Sequence, residues 1–415
     1  MKLKSILLAI LITVCSIVLI VICLIIWGGH NNENTTIEDE AKITSTEEKV
    51  THQLENMSLA EKIGQLLYVV YSSNAVDDRL KDTIKSVKPG GFIIFENNIT
   101  NKNQLKEYID TLQNLSDTPM FIGIDQEGGI VQRLKPKGDI TATNIPPMYN
   151  VGKICGDDKD LPYDIGYVIG RELSVFGINM NFAPVVDIYS NPNNTVIGKR
   201  AFSNTSDNVS EMALNVGKGL GDNNIIPVYK HFPGHGDTKE DSHYTLPILN
   251  KSYEELSNLE LVPYFDLIEN GIDAIMVAHI ALPKITGDNV PASLNKKVVN
   301  DILRDKLGFK GLVVTDGVNM RALSDNYSTK EIVCMAVDAG VDMILMPNTS
   351  KDARDGLMEC LNEGKITVEQ IDAAVKRILT LKYNRGLFND GKTPSFDTLE
   401  DINYLEKVTR IKQIR

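Results

Sequence analysis

The sequence predicts an α/β protein of the (β/α)8 TIM-type barrel class, built as a single catalytic domain. Three observations carry that expectation. Short apolar runs of strand length recur along the chain. Amphipathic stretches with helical spacing separate them. Ionisable residues gather at the C-terminal ends of the runs and not at their starts. Near-continuous apolar strands suit a parallel sheet covered on both faces, and alternation of strand with helix builds such sheets. Chemistry at the strand C-termini is the habit of a closed barrel. A doubly wound open sheet is the competing architecture, because counting strands does not show closure.

The strand runs, in order, are QLLYVVY (65–71), GFIIF (91–95), MFIGID (120–125), MNFAPVVDI (180–188), IIPVYK (225–230), AIMVAHI (274–280), GLVVTD (311–316) and MILMP (343–347). The helical stretches between them include NKNQLKEYIDTLQNL (101–115), SDNVSEMALNVGKGLGD (206–222), NKKVVNDILRDKLGFKG (295–311) and TKEIVCMAVDAGVD (329–342). Residues 252–271 read as one helix from a Ser252 cap to Gly271. Residues 367–388 close the series, with Thr367 and Glu369 near the start.

The barrel is expected over residues 55–390, followed by a short tail, 391–415. Ahead of it, SILLAILITVCSIVLIVICLIIW (5–27) carries no charge. It is long enough for a bilayer-spanning helix, which needs about 20 residues. Lys2 and Lys4 precede it and NNENTTIEDE follows. The positive-inside rule then places the N-terminus in the cytoplasm. The expected localisation is single-pass in the cell membrane, with residues 1–30 as anchor and the catalytic domain on the extracellular face. Secretion after signal cleavage is the alternative, although Gly28-Gly29-His30 makes a poor cleavage site. Residues 31–54 are polar and acidic and read as a linker.

The 415-residue chain is 42% hydrophobic, which supports a substantial core, and its net charge of −12 argues against a nucleic-acid partner. Five cysteines are too few and scattered for a disulfide framework, so Cys155, Cys334 and Cys360 are expected as isolated thiols.

The third run ends in Asp125, the fourth near Asp187, the fifth in Lys230-His231 and the seventh in Asp316, while the sixth carries His279. Buried charges need partners, so this gathering points to a common active site. The loop KHFPGHGDTKEDSH (230–243) adds His235, Asp241 and His243. His231 and His235 have a spacing that would pair them as metal ligands on a helix. Pro233, Gly234 and Gly236 disfavour a helix there, so metal-assisted hydrolysis is a minor reading. Asp241 and His243 suit proton transfer: a carboxylate fixes an imidazole tautomer, and imidazole gives and takes a proton near neutrality. The glycines would let the loop close on a substrate. Three strand-end carboxylates, Asp125, Asp187 and Asp316, stay open as nucleophile. Asp187 also reads as a partner for nearby basic groups, Glu127 as support for its loop, and His235 either as a loop-shaping or a substrate-binding group. His279 reads as orienting a neighbour.

Six blocks carry a resemblance: GIDQEGGIVQRL (123–134), MNFAPVVDI (180–188), NTVIGKRAFS (194–203), KHFPGHGDTKEDSH (230–243), MVAHIALP (276–283) and VVTDGVNM (313–320). Over roughly residues 55–390 the chain resembles glycoside hydrolase family 3, in its β-N-acetylglucosaminidase branch. The resemblance implies a (β/α)8 barrel and retaining hydrolysis of terminal β-linked N-acetylglucosamine. It selects Asp316 as nucleophile and His243 as general acid/base, oriented by Asp241. Asp125, Arg133, Arg200, Lys230 and His231 match positions that hold the sugar's hydroxyls and acetamido group. Ile130 stands where an arginine is common, Lys199 and Ala201 flank Arg200 in a less usual way, and Gly317 follows Asp316 where an acidic residue or alanine often occurs. The expected substrate is a peptidoglycan fragment (a muropeptide) attacked from its non-reducing end by a monomeric enzyme. No metal or organic cofactor is implied. A β-glucosidase or β-xylosidase of the same family, or a wall-binding protein without turnover, are the other readings. Because His243 is neutral after giving up its proton, phosphorolysis by an anionic phosphate is expected beside hydrolysis.

Overall fold

The computed structural model describes residues 46–156, 158, 160–239, 242, 244–389 and 393–414. The chain divides into two compact units, residues 1–55 and 56–415. In the first, residues 46–55 are helical, where the sequence reading has a polar linker; Glu47, Glu48 and Lys49 are good helix formers.

In the second unit, every apolar run becomes a strand of one parallel sheet. The strands are β1 (Leu67–Val70), β2 (Gly91–Ile94), β3 (Phe121–Ile124), β6 (Met180–Asn181), β7 (Ile226–Phe232), β8 (Ala274–Val277), β9 (Leu312–Thr315) and β10 (Ile344–Leu345). A small antiparallel hairpin, β4 (Gln126–Gly128) with β5 (Val131–Gln132), follows β3. The sheet order is β10-β1-β2-β3-β6-β7-β8-β9. Its two ends also meet: Val314 and Met343 form a parallel bridge, and the Thr315 N–H donates to the Met343 carbonyl at 3.0 Å. The sheet therefore returns on itself as a nearly closed eight-stranded barrel. The open doubly wound alternative fails at this seam. Strands β2, β3, β8 and β9 are buried at every residue, as their unbroken apolar character requires.

The helices named below are α1 (Lys102–Asn114), α2 (Asp160–Ser174), α3 (Ser206–Gly221), α4 (Val262–Glu269), α5 (Thr329–Ala339), α6 (Ser350–Asn362), α7 (Val368–Asn384) and α8 (Ile402–Ile411). Asn101 and Thr367 cap α1 and α7 by accepting from the Gln104 and Gln370 N–H groups. The stretch 252–271 starts at Ser252 in a capping box, but splits into Tyr253–Ser257 and α4. Pro263, lacking an N–H, cannot continue a helix and instead begins one. The stretch 295–311 forms a π-helix over Lys297–Lys306.

Helix α2 has no counterpart in the sequence reading. Eleven of its residues are buried, among them Asp164 and Glu172; Pro162, Gly166 and Gly170 weaken its helical signal in the sequence. Helix α8 docks on it: Lys407 and Arg410 pair with Asp164, and the Tyr404 hydroxyl donates to Glu172 Oε1 at 2.9 Å.

Two expectations are corrected. Cys334 on α5 and Cys360 on α6 are not isolated thiols but a disulfide, with Cα atoms 5.9 Å apart; Cys155 is free and buried. The 26-residue separation says nothing about two helices packing side by side. Gly356 permits that approach: a Cβ there would sit 3.1 Å from the Lys330 Cα. The second correction concerns localisation in the cell membrane with an extracellular catalytic domain. Among the described residues no helix is long and apolar enough to cross a membrane. The stretch 5–27, on which the anchor rested, lies outside the described residues.

Candidate active site

The strand-end residues converge on a cavity of about 550 Å³ at the C-terminal mouth of the barrel. Asp125 immediately follows β3, and the chain then folds into the β4–β5 hairpin. Gln126 organises that hairpin from inside. Its Oε1 accepts from the Arg133 and Leu134 N–H groups at 2.9 and 3.0 Å, and its Nε2 donates to the Leu134 carbonyl at 2.8 Å. Gly128 turns with φ 112°, and a Cβ there would sit 2.7 Å from the Ile145 side chain. The result turns Glu127 and Arg133 toward the cavity and leaves Ile130 at the tip, 81% exposed.

A buried ionic cluster forms the cavity wall. Lys230, on β7, reaches Asp125 Oδ1 at 2.8 Å and Glu127 Oε1 at 2.6 Å. Arg200 grips Glu127 with both Nε and a terminal nitrogen at 2.8 Å each, the fork geometry that arginine offers a carboxylate. Burial opposes the charge on Glu127, but Arg200 and Lys230 outweigh it and hold the carboxyl well below the usual range. Burial likewise opposes the Lys230 charge, and Asp125 and Glu127 raise its pKa regardless. Arg133 lies 3.7 Å from Asp125 Oδ2 and packs its guanidinium 5.4 Å from the centre of the Phe95 ring.

Asp187, buried at the start of the next loop, holds two histidines. It accepts from His231 Nδ1 at 2.6 Å and from the His235 backbone N–H at 2.6 Å. This sets the His231 tautomer and points Nε2 at Arg200, 3.4 Å away. Burial pushes the Asp187 carboxyl up, and His231 and His235 pull it below its ordinary value.

Asp316 follows β9 and lines the same cavity. Its backbone N–H donates to the Val277 carbonyl at 2.9 Å, continuing the β8–β9 ladder, and its Oδ1 accepts from the Gly317 N–H at 2.7 Å. Burial favours the neutral acid, but His231, His279, the Gly317 amide and Lys230 together bring it down to about 2. His279, fully buried, sits between Ser293 Oγ at 2.7 Å and the Gly317 carbonyl at 3.0 Å. The carbonyl only accepts, so Nε2 carries the proton and steadies the turn that presents Asp316.

Of the eight residues selected from the sequence, Asp125, Arg133, Arg200, Lys230, His231 and Asp316 all line this one cavity. Asp241 and His243 lie outside the described residues; Ser242, between them in sequence, lines the cavity. Tyr71, Phe95 and Met346 were not selected, yet they follow β1, β2 and β10 and also line it. The strand-end rule finds them once it is not confined to ionisable side chains.

A parallel eight-stranded barrel with an ionised carboxylate and a cationic wall at its C-terminal mouth has the layout of a barrel enzyme. Residues 58–381 match the model of the glycosyl hydrolase family 3 N-terminal domain. A β-hexosaminidase from Methylobacillus flagellatus is 34% identical over 71% of this chain and 83% of its own length. β-Hexosaminidase A from Pseudoalteromonas piscicida is 32% identical over 73% of this chain, which spans only 54% of that longer protein. Among solved structures, a family 3 β-N-acetylglucosaminidase from Paenibacillus sp. FPU-7 superimposes with a TM-score of 0.80 at 37% identity, covering 86% of this chain and 68% of that one. NagZ from Neisseria gonorrhoeae matches with a TM-score of 0.72 at 26% identity, over 85% of this chain and 97% of that one. The chain belongs to glycoside hydrolase family 3, as its sequence blocks implied.

Proposed function

We propose that this chain is an exo-acting, retaining β-N-acetylglucosaminidase that releases terminal N-acetylglucosamine from peptidoglycan fragments. The observation that carries the reading is Asp316: a half-buried carboxylate, ionised to about pH 2, in one cavity with Asp125, Arg133, Arg200, Lys230 and His231. A retaining glycosidase needs a carboxylate beneath the anomeric carbon and a proton donor on the leaving oxygen. In the first step Asp316 attacks the anomeric carbon while His243, oriented by Asp241, protonates the departing oxygen. In the second, His243 takes a proton from water, which displaces Asp316 from the sugar. Asp125, Lys230, Arg133, Arg200 and His231 hold the sugar's polar groups. Lys230 and Arg200 are charged and pre-aimed by Glu127, so little reorganisation accompanies binding.

The direct test is release of N-acetylglucosamine from a purified muropeptide, with His243→Ala and Asp316→Asn as controls. No release by the parent, or undiminished release by Asp316→Asn, overturns the reading. A panel of nitrophenyl glycosides separates it from a β-glucosidase or β-xylosidase.

Phosphorolysis is a second reading, favoured by the neutral base left after proton transfer and by the likeness to a β-glucoside phosphorylase, BglX, with a TM-score of 0.77 at 25% identity over 88% of this chain and 66% of that one. Sugar 1-phosphate formed in millimolar phosphate supports it; its absence rejects it.

A further inference from the structure

His235 is fixed more tightly than a loop residue needs. Its N–H donates to Asp187 Oδ1 at 2.6 Å, and its carbonyl accepts from Asn194 Nδ2 at 2.7 Å and from the Thr238 hydroxyl at 3.0 Å. The next residue, Gly236, lies so close to Ile188 that a Cβ would meet its carbonyl oxygen at 1.7 Å. The ring is held as well: Nδ1 lies 2.6 Å from Thr238 Oγ1. We assign the proton to Nδ1, the one tautomer in which both contacts of the Thr238 hydroxyl are hydrogen bonds: it donates to the His235 carbonyl, which can only accept, and its lone pair accepts from Nδ1. That assignment leaves Nε2 with a bare lone pair. Nε2 is buried and has no hydrogen-bond partner among the described residues, and the residue is one of those that line the active-site cavity with Asp316 and His231. Its ring lies 6.0 Å from the His231 ring. Burial lowers the pKa of the imidazole, which keeps it neutral and its lone pair free. A buried acceptor left unmatched destabilises the free protein, so one at the edge of a cavity calls for a partner from outside the chain, a ligand or a water.

We propose that His235 is a substrate-binding residue whose Nε2 accepts a hydrogen bond from an O–H or N–H of the sugar in this cavity. The proposal rests on the glycosidase reading and adds a neutral acceptor to the site: Lys230, Arg200 and Arg133 donate and Asp125 is charged, whereas His235 accepts without charge. Thr238 acts as the positioning residue behind it.

The test uses the full chain with p-nitrophenyl N-acetyl-β-D-glucosaminide, its 3-, 4- and 6-deoxy forms, and the β-glucoside that lacks the acetamido N–H. His235→Leu should lose about tenfold or more in kcat/KM on the full sugar, the worth of one hydrogen bond with its partner left unpaired. That loss should shrink to within about twofold on the one analogue lacking the donor. His235→Gln, which places an acceptor oxygen near the Nε2 position, should stay within about threefold of the parent. Thr238→Val should raise KM severalfold with kcat close to the parent. An equal loss on every analogue, or no loss on the full sugar, overturns the proposal. If His235→Leu does not fold, an unchanged KM in both Thr238→Val and His235→Gln overturns it instead, and a raised KM in Thr238→Val alone supports it. A parent inactive on the N-acetylglucosaminide sinks the functional reading separately. Calorimetric binding of N-acetylglucosamine, parent against His235→Leu, then decides on His235: tenfold weaker binding by the variant supports it, equal binding or none by the parent overturns it.

Discussion

Two buried charge clusters occupy opposite ends of the barrel. One surrounds Asp342, just ahead of β10. Its Oδ2 accepts from an Arg304 terminal nitrogen and the Val313 N–H, both at 2.7 Å, and its Oδ1 accepts from Arg377 Nε at 2.7 Å. Arg304 spends further donors on the Gly311, Gly340 and Phe309 carbonyls. The other cluster joins Asp125, Glu127, Lys230 and Arg200 beside Asp187, His231 and Asp316. Both are assembled from carboxylates and cations out of water. The first closes on itself, every charge matched by protein, and ties the π-helix, α7 and two strands together. The second opens onto a cavity and leaves the Arg133 Nε and His235 Nε2 unmatched among the described residues. Buried charge alone does not mark a ligand site; here the cluster that opens onto a cavity is the one with unmatched nitrogens beside it.

Substitutions should therefore have opposite signatures at the two ends. The largest effect is expected from Asp316→Asn, with kcat per folded molecule falling by about 10⁴-fold or more. Steady-state kinetics measures it, with thermal unfolding confirming that the variant is folded at the assay temperature. Glu127→Gln comes next. It removes the carboxylate shared by Arg200 and Lys230, so kcat/KM should fall by about 10²-fold, the scale of a misplaced electrostatic group. Assays on a nitrophenyl N-acetylglucosaminide measure it. At the other end, Asp342→Asn should cost about 3–5 kcal/mol of stability, because two arginines lose their counter-charge, with kcat of the folded enzyme unchanged. Denaturant titration alongside kinetics would break the comparison if activity per folded molecule dropped instead.

Acid titration sharpens the contrast. Asp316 is depressed from 3.8 to about 2, so the unfolded chain takes up its proton first. The stability it contributes is present above about pH 4 and is lost as pH falls through about 2. Asp316→Asn should flatten the parent's stability curve in that window. Glu172, under helix α8, is the converse and the smallest effect. Burial raises it from 4.5 to about 7, against the Thr143 and Tyr404 hydrogen bonds. Here the native state holds the proton longer than the unfolded chain, so stability declines as pH rises from 4.5 toward 7. Glu172→Gln should remove that decline; a slope identical to the parent's in pH-dependent melting would refute the assignment.

Much of this was readable before any coordinates. A strand buried on both faces is apolar whatever its neighbours, so all eight runs survive as strands. Ser252 caps its helix as its side chain dictates, because capping is a local bond. The residues at strand ends were readable because chain direction in a parallel barrel sends all of them to one mouth. Helix α2 was not, since Pro162, Gly166 and Gly170 are poor helix formers and mask its pattern. The Cys334–Cys360 bond was not, since it depends on the packing of α5 on α6.

The sequence alone determined the strands, the helices with local caps, and the set of ionisable side chains delivered to the C-terminal rim; each follows from burial, backbone chemistry or chain direction acting over a few residues. Only the tertiary structure decided that β9 meets β10, that Glu127 joins Arg200 to Lys230, that Asp187 holds two histidines, and that His235 keeps one nitrogen unmatched. Those are pairings between residues distant along the chain, and hydrogen-bond geometry acts over ångströms in space, which sequence separation does not encode.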